Sequence, residues 1–207
     1  VCLILLCLAS APAAAHPHAW IDMSIQVLFD AQGRVSGLRE TWLFDEYYTA
    51  FAMEEFAEKG KPGPTQADID GFVRRAIENL KEYSYFTDVK SEDTPIALGT
   101  VTEMSGGLAE ASRLWMTFLV PLKTPFDASK KPLTYGVYDP SYYIEMLHVE
   151  GENGVRFKDA PDGCQFRKIQ PNPTFEAYAL AAAADMADTP SETLGALFAE
   201  RVTIQCK

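Results

Sequence analysis

The chain is poor in histidine, in cysteine and in positive charge. Its 207 residues hold three histidines, at positions 16, 18 and 148, and four cysteines, two of them within the first seven residues. With 18 basic against 29 acidic residues the formal net charge is −11. Such a surface repels phosphate, so nucleic acid is excluded as an expected partner. No stretch beyond residue 15 supplies the roughly 20 consecutive apolar residues of a membrane-spanning helix. A GxSxG nucleophile elbow, an HExxH helix and a glycine-rich phosphate loop are all missing, and Gly106-Gly107 reads as a turn. The expectation is a binding protein and not an enzyme.

What is present begins with residues 1–15, uncharged and closing on Ala13-Ala14-Ala15. An apolar core followed by small residues is the pattern of a secretory signal peptide, with cleavage after Ala15 and His16 as the new first residue. This predicts export to the periplasm and one domain over residues 16–207. In an oxidising compartment Cys164 and Cys206 are expected to pair, closing a loop of about 40 residues worth on the order of 3–4 kcal/mol. The competing reading, two thiolate ligands of a metal, is disfavoured because no histidine or further cysteine lies near either one in sequence.

From His18 to Phe29 the residues alternate, Ile21, Met23, Ile25, Val27 and Phe29 on one side and His18, Trp20, Asp22, Ser24 and Gln26 on the other. That is a half-buried strand. Residues 30–34 form a turn and Val35–Phe44 the returning strand, with Glu40, Trp42 and Phe44 on one face. A helix is predicted from Asp45 to about Lys59, and another after Thr65 carrying Ile69, Phe72, Val73, Ala76, Ile77 and Leu80. Short strands follow near 84–90, 95–104, 108–121, 133–138 and 141–149. Helices near 174–186 and 191–200 then precede a last strand at 201–206. The predicted class is α+β, a mainly antiparallel sheet with several helices.

His16 and His18 stand at i and i+2, so in an extended chain both imidazoles project to one side. With the α-amine released by cleavage they offer three nitrogen donors to zinc, nickel or cobalt, or copper. The square-planar amino-terminal copper motif is ruled out, because Pro17 has no amide proton to lose. Candidate carboxylate ligands are Asp22, Asp45, Glu46 and Asp139, and His148 is a candidate fourth nitrogen. For His148 an ordinary hydrogen-bonded strand histidine, and for Asp45-Glu46 the start of a helix, are the alternative readings.

Three blocks carry a family likeness: His16-Pro17-His18-Ala19-Trp20-Ile21-Asp22, then Trp42-Leu43-Phe44-Asp45-Glu46, then Tyr138-Asp139-Pro140-Ser141-Tyr142-Tyr143, together with the terminal cysteine. With them the chain resembles the domain of unknown function 1007 family, bacterial periplasmic proteins often labelled as a periplasmic component of an ABC-type transport system. Members are commonly encoded beside nickel/cobalt exporters or zinc-type transporters. The resemblance implies a metal-handling role with a membrane metal transporter as partner, and it carries the motif onto His16, His18, Asp22, Asp45, Glu46 and Asp139. The expected function is therefore that of a transition-metal-binding chaperone, buffer or sensor. A metal-independent module docking on such a transporter is the alternative, and a copper-dependent oxidative enzyme with an N-terminal histidine brace is a third.

Overall fold

The computed structural model of the protein describes residues 17–56, 63–109, 113–184 and 193–207. The expected signal segment and His16 lie outside the described residues. The predicted hairpin forms as β1 (Ala19–Phe29) and β2 (Val35–Phe44), with Met23 opposite Trp42 and Ile25 opposite Glu40. Asp30 closes its turn by accepting from the backbone N–H groups of Gln32 and Arg34, at 3.0 and 2.9 Å. Next come helices α1 (Glu46–Phe56) and α2 (Gln66–Leu80), and strands β3 (Thr87–Ser91), β4 (Thr94–Pro95), β5 (Met104–Leu108), β6 (Leu114–Phe126) and β7 (Leu133–Val137). Strands β8 (Ile144–His148), β9 (Val155–Lys158) and β10 (Gln165–Ile169), helix α3 (Phe175–Ala183) and strand β11 (Arg201–Gln205) complete the described elements.

The strands form two sheets, so the α+β class holds. The first runs β5-β6-β2-β1-β8, with β9 also on β1; the second runs β10-β11-β7-β3-β4. Pairing is antiparallel except along the outer edge of β1, where β8 takes the first half and β9 the second, both parallel. Alternation then decides the packing. Ile21, Met23, Ile25 and Val27 of β1, Trp42 of β2 and Met116 and Phe118 of β6 turn inward. They share one apolar cluster with Val89, Leu133, Val137, Val202 and Ile204 of the second sheet. Each such side chain contributes about 1.5–3 kcal/mol on leaving water.

Helix α2 starts as its sequence announces. Thr65 and Asp68 cap one another reciprocally, and Ile69, Val73 and Ile77 are buried. Beneath it Gly106 and Gly107 are not a turn; they lie within β5. A Cβ on Gly106 would fall 2.6 Å from the Val73 side chain and one on Gly107 2.9 Å from the Trp115 ring. The glycines are there to let helix and strand approach.

Three further departures have physical causes. The strand expected from residue 84 starts only at Thr87, because Ser84, Tyr85 and Phe86 all adopt positive φ, at 54°, 57° and 57°. Left-handed backbone costs a non-glycine residue about 1–2 kcal/mol, and tertiary contacts hold this turn. Tyr138 N–H donates to the Phe86 carbonyl at 2.9 Å, and the Phe86 ring stacks on Trp42 at 6.2 Å between centroids. In place of a helix over 191–200, the described residues show a single 3-10 turn, Gly195–Leu197, where the Gly195 N–H donates to the Pro140 carbonyl at 2.9 Å. Between residues 150 and 170, where the pattern placed no element, the chain forms β9 and β10.

Cys164 and Cys206 form the expected disulfide across 42 residues of sequence. They follow directly on the Gln165–Gln205 pair at the end of the β10–β11 ladder. In the chain-entropy model a loop of that size contributes about 4 kcal/mol.

Candidate functional site

Two of the residues expected to bind metal, His18 and Asp22, lie at the start of β1 and on its outward face. His18, just before the strand, is exposed; its N–H donates to the Tyr143 carbonyl at 2.9 Å and its ring stacks on Tyr143 at 4.7 Å. Trp20 and Asp22 follow on the same exposed face. Asp22 accepts from Arg113 at 2.8 Å, and Arg113 also donates to the Phe44 carbonyl at 2.7 Å. Asp22, Asp45 and Glu46 then meet, lining one shallow depression with Trp20, Tyr47 and Arg113.

The chemistry left to these carboxylates is unequal. Asp45 caps α1: its Oδ1 accepts from the N–H groups of Tyr47 and Tyr48 at 2.7 and 2.9 Å, and its Oδ2 from Trp20 N–H at 2.8 Å. Three main-chain donors make it a structural cap. Glu46, the first residue of that helix, is exposed. His18 and Asp22 are four residues apart along one strand, about 13 Å at 3.3 Å per residue, too far for one ion to touch both. Asp139 sits elsewhere, buried inside its own turn, accepting from Ser141 N–H and Ile144 N–H at 2.9 and 3.0 Å.

His148 faces the opposite way. It pairs with Met23 in the β1–β8 register and so points between the sheets. There its Nδ1 lies 2.7 Å from Glu200 and its Nε2 3.2 Å from the Tyr135 hydroxyl. Glu200 also accepts from the His148 N–H, Lys168 Nζ and Gln170 Nε2, at 2.7, 2.9 and 2.7 Å. Burial pushes the Glu200 carboxyl up, but the hydrogen bonds from His148 and Lys168 outweigh it and hold Glu200 at about 2. An ionised carboxylate only accepts, so Nδ1 carries a proton and donates it to Glu200. The side chains of His148 and Glu200 are 0% and 3% exposed. The network pins β8 of one sheet to β7 and β11 of the other and leaves no lone pair facing solvent. Among the described residues no three of His, Cys, Asp and Glu gather as a metal would require.

Sequence reasoning missed a second buried acid, Glu40. Trp42 Nε1–H donates to one of its oxygens at 2.9 Å, and the Thr87 hydroxyl lies 2.8 Å from the other. That hydroxyl also lies 3.0 Å from the Tyr85 carbonyl, and its single proton cannot serve both. Burial raises Glu40 to about 8, against the weaker pull of its two hydrogen bonds. At neutral pH Glu40 is therefore the donor to Thr87, whose own proton goes to the Tyr85 carbonyl. The warning in the sequence was an acid sharing a strand face with Trp42 and Phe44.

Two relatives place the chain. It is 25% identical over 195 residues to an uncharacterized protein of Haemophilus influenzae, covering 93% of this chain and 92% of that one. It is 26% identical over 106 residues to an uncharacterized 15.5 kDa protein in the trpE 3'region of Spirochaeta aurantia, covering 51% of this chain and 74% of that one. Over residues 1–206 the sequence matches the family model described as protein of unknown function (DUF1007), and the chain belongs to that family.

Proposed function

We propose that this is a periplasmic accessory protein that binds a transition-metal ion through its His16-Pro17-His18 segment and buffers it for, or passes it to, a membrane metal transporter. The observation that carries the reading is the placement of His18. Its imidazole is exposed at the outer start of β1, while its backbone is tied to Tyr143, so the segment leaves the body of the protein at a fixed point on the surface. His148, by contrast, is committed to Glu200 and Tyr135, and Asp45 and Asp139 to main-chain donors. The ligand set therefore narrows to His18, His16 and the α-amine freed by cleavage after Ala15. Of the expected carboxylates, Glu46 stays exposed, and Asp22 is ion-paired with Arg113 at 2.8 Å. Imidazole and amine nitrogens suit zinc, nickel, cobalt and copper, and copper binds such a set most tightly, so affinity alone does not name the physiological ion.

The test is calorimetric titration of Zn²⁺, Ni²⁺ and Cu²⁺ into metal-stripped protein beginning at His16, beside a form with one extra N-terminal residue and a His18→Ala variant. One-to-one binding that both changes weaken supports the terminal site. Equal binding by all three forms rejects it.

A second reading is a metal-independent docking module for the same kind of transporter. It is favoured by Trp20, Tyr47 and Phe51, which are 44%, 82% and 73% exposed at the depression and along α1. Capture of the transporter in excess chelator would select it.

A further inference from the structure

On the side of the protein where β3 and β4 meet the extended chain of residues 96–100, a cavity of about 540 Å³ opens to solvent. Pro95, Ile96 and Leu98 give its lining an apolar part. The rest is of another character. Lys81 enters from the end of α2, Lys123 from β6, and Ser84 and Thr100 add hydroxyls. None of these four side chains has a hydrogen bond or an ion pair among the described residues. The cavity's one carboxylate, Asp88, is already neutralised by Arg201 at 2.8 Å. Among the described residues, two ammonium groups and two hydroxyls around one hollow thus stay unpaired in a chain of net charge −11.

The wall between them is the left-handed turn. Ser84 and Tyr85 line the cavity, and the turn is held from behind by the Thr87 hydroxyl on the Tyr85 carbonyl and by the Val101 N–H on the Tyr85 hydroxyl, at 3.0 and 3.4 Å. Strained backbone that its surroundings over-determine concentrates at ligand sites, where it sets the position of a contact in advance. Here it carries the Ser84 side chain to the rim.

We infer that this cavity binds a small organic oxyanion, a carboxylate or phosphate group on a short apolar body, with Lys81 and Lys123 taking the charge and Ile96 and Leu98 the apolar part. Charge-assisted hydrogen bonds from ammonium groups give the affinity, and the hydroxyls complete the oxygen's partners. The site is separate from the His16-Pro17-His18 segment and does not depend on metal binding.

The experiment is a titration of ¹⁵N-labelled protein followed by amide chemical shifts, with hexanoate, with inorganic phosphate and with neutral hexanol as probes. Saturable shifts confined to residues 81–101 and the surroundings of Lys123 are expected for hexanoate, and hexanol should bind about tenfold more weakly or not at all. The Lys81→Gln/Lys123→Gln variant removes only exposed charges, so it should fold as the parent does by circular dichroism while losing about tenfold or more in hexanoate affinity. Saturation by phosphate with the same shifts identifies the oxyanion as the recognised part; saturation by hexanoate alone identifies the carboxylate with its chain. The inference is overturned if neither anion saturates, or if the double variant binds hexanoate as tightly as the parent.

Discussion

The sheet that holds β1, β2 and β8 carries polar side chains on both of its faces, and the two faces solve the problem of polarity in opposite ways. Inward, His148, Glu200, Tyr135, Glu40 and Thr87 give up water, so every lone pair and proton has to find a partner in the protein. Outward, His18, Trp20 and Asp22 keep their water and need no such closure. A buried polar group without a partner costs far more than an exposed pair returns. Burial therefore turns a reactive-looking histidine into a structural one, while His18 stays in contact with solvent. Ranking histidines by residue type alone treats His18 and His148 as equals, and the sheet geometry separates them.

The comparison makes its largest claim at Glu200. Replacing it with Ala leaves the His148 imidazole and Lys168 without their acceptor, and the expected loss is about 3–5 kcal/mol in urea unfolding. A loss under about 1 kcal/mol would show that the inward network is not structural.

Glu200 and Glu40 should also titrate stability in opposite directions. Glu200, lowered to about 2 from 4.5, contributes stability that is present above pH 4.5 and lost as pH falls toward 2. Glu40, raised from 4.5 to about 8, is the reverse: its contribution is full below 4.5 and is lost as pH rises toward 8. Over that upper window its slope approaches about 1.4 kcal/mol per pH unit, because the folded state holds one proton that the unfolded chain has released. Glu40→Gln keeps an acceptor for Trp42 and a donor for Thr87 and should flatten this slope. Unfolding curves of both proteins at several pH values between 5 and 8 measure it, and an unchanged slope would mean that Glu40 is not the group responsible.

Effects on the outward face are smaller. Asp45→Ala removes the α1 cap and should cost about 1 kcal/mol by thermal or urea unfolding. Arg113→Ala breaks a pair whose side chains are 25% and 51% exposed, and its ion-pair share should be below about 1 kcal/mol and shrink with salt. A cost at Arg113 that rivals Glu200 would erase the distinction between the faces.

Local pattern made a good part of this legible. The β1–β2 hairpin follows from alternation and a short turn, α2 from its reciprocal cap and its buried Ile69, Val73 and Ile77, and the disulfide from the two cysteines outside the first seven residues. The expected ligand set was legible as a list and not as a place. His18, Asp22, Asp45 and Asp139 were singled out by type, but whether a carboxylate has spare lone pairs depends on which backbone N–H groups point at it. Asp45 and Asp139 commit theirs to main-chain donors, a competition that residue type does not display. Glu200 was invisible for a related reason, since its partner His148 lies 52 positions away.

By itself, then, the sequence determined what depends on neighbours a few residues apart: the period of each strand, the helix caps, the charge of the surface and the α+β class. Tertiary structure alone decided that β8 and β9 lie parallel along one edge of β1 and that residues 84–86 turn left-handed. It decided too that Gly106-Gly107 admits a helix, that one histidine is sealed while another is exposed, and that Lys81 and Lys123 share a cavity. Those outcomes depend on contacts between residues distant in the chain, whose energies appear only once water has been excluded between the two sheets.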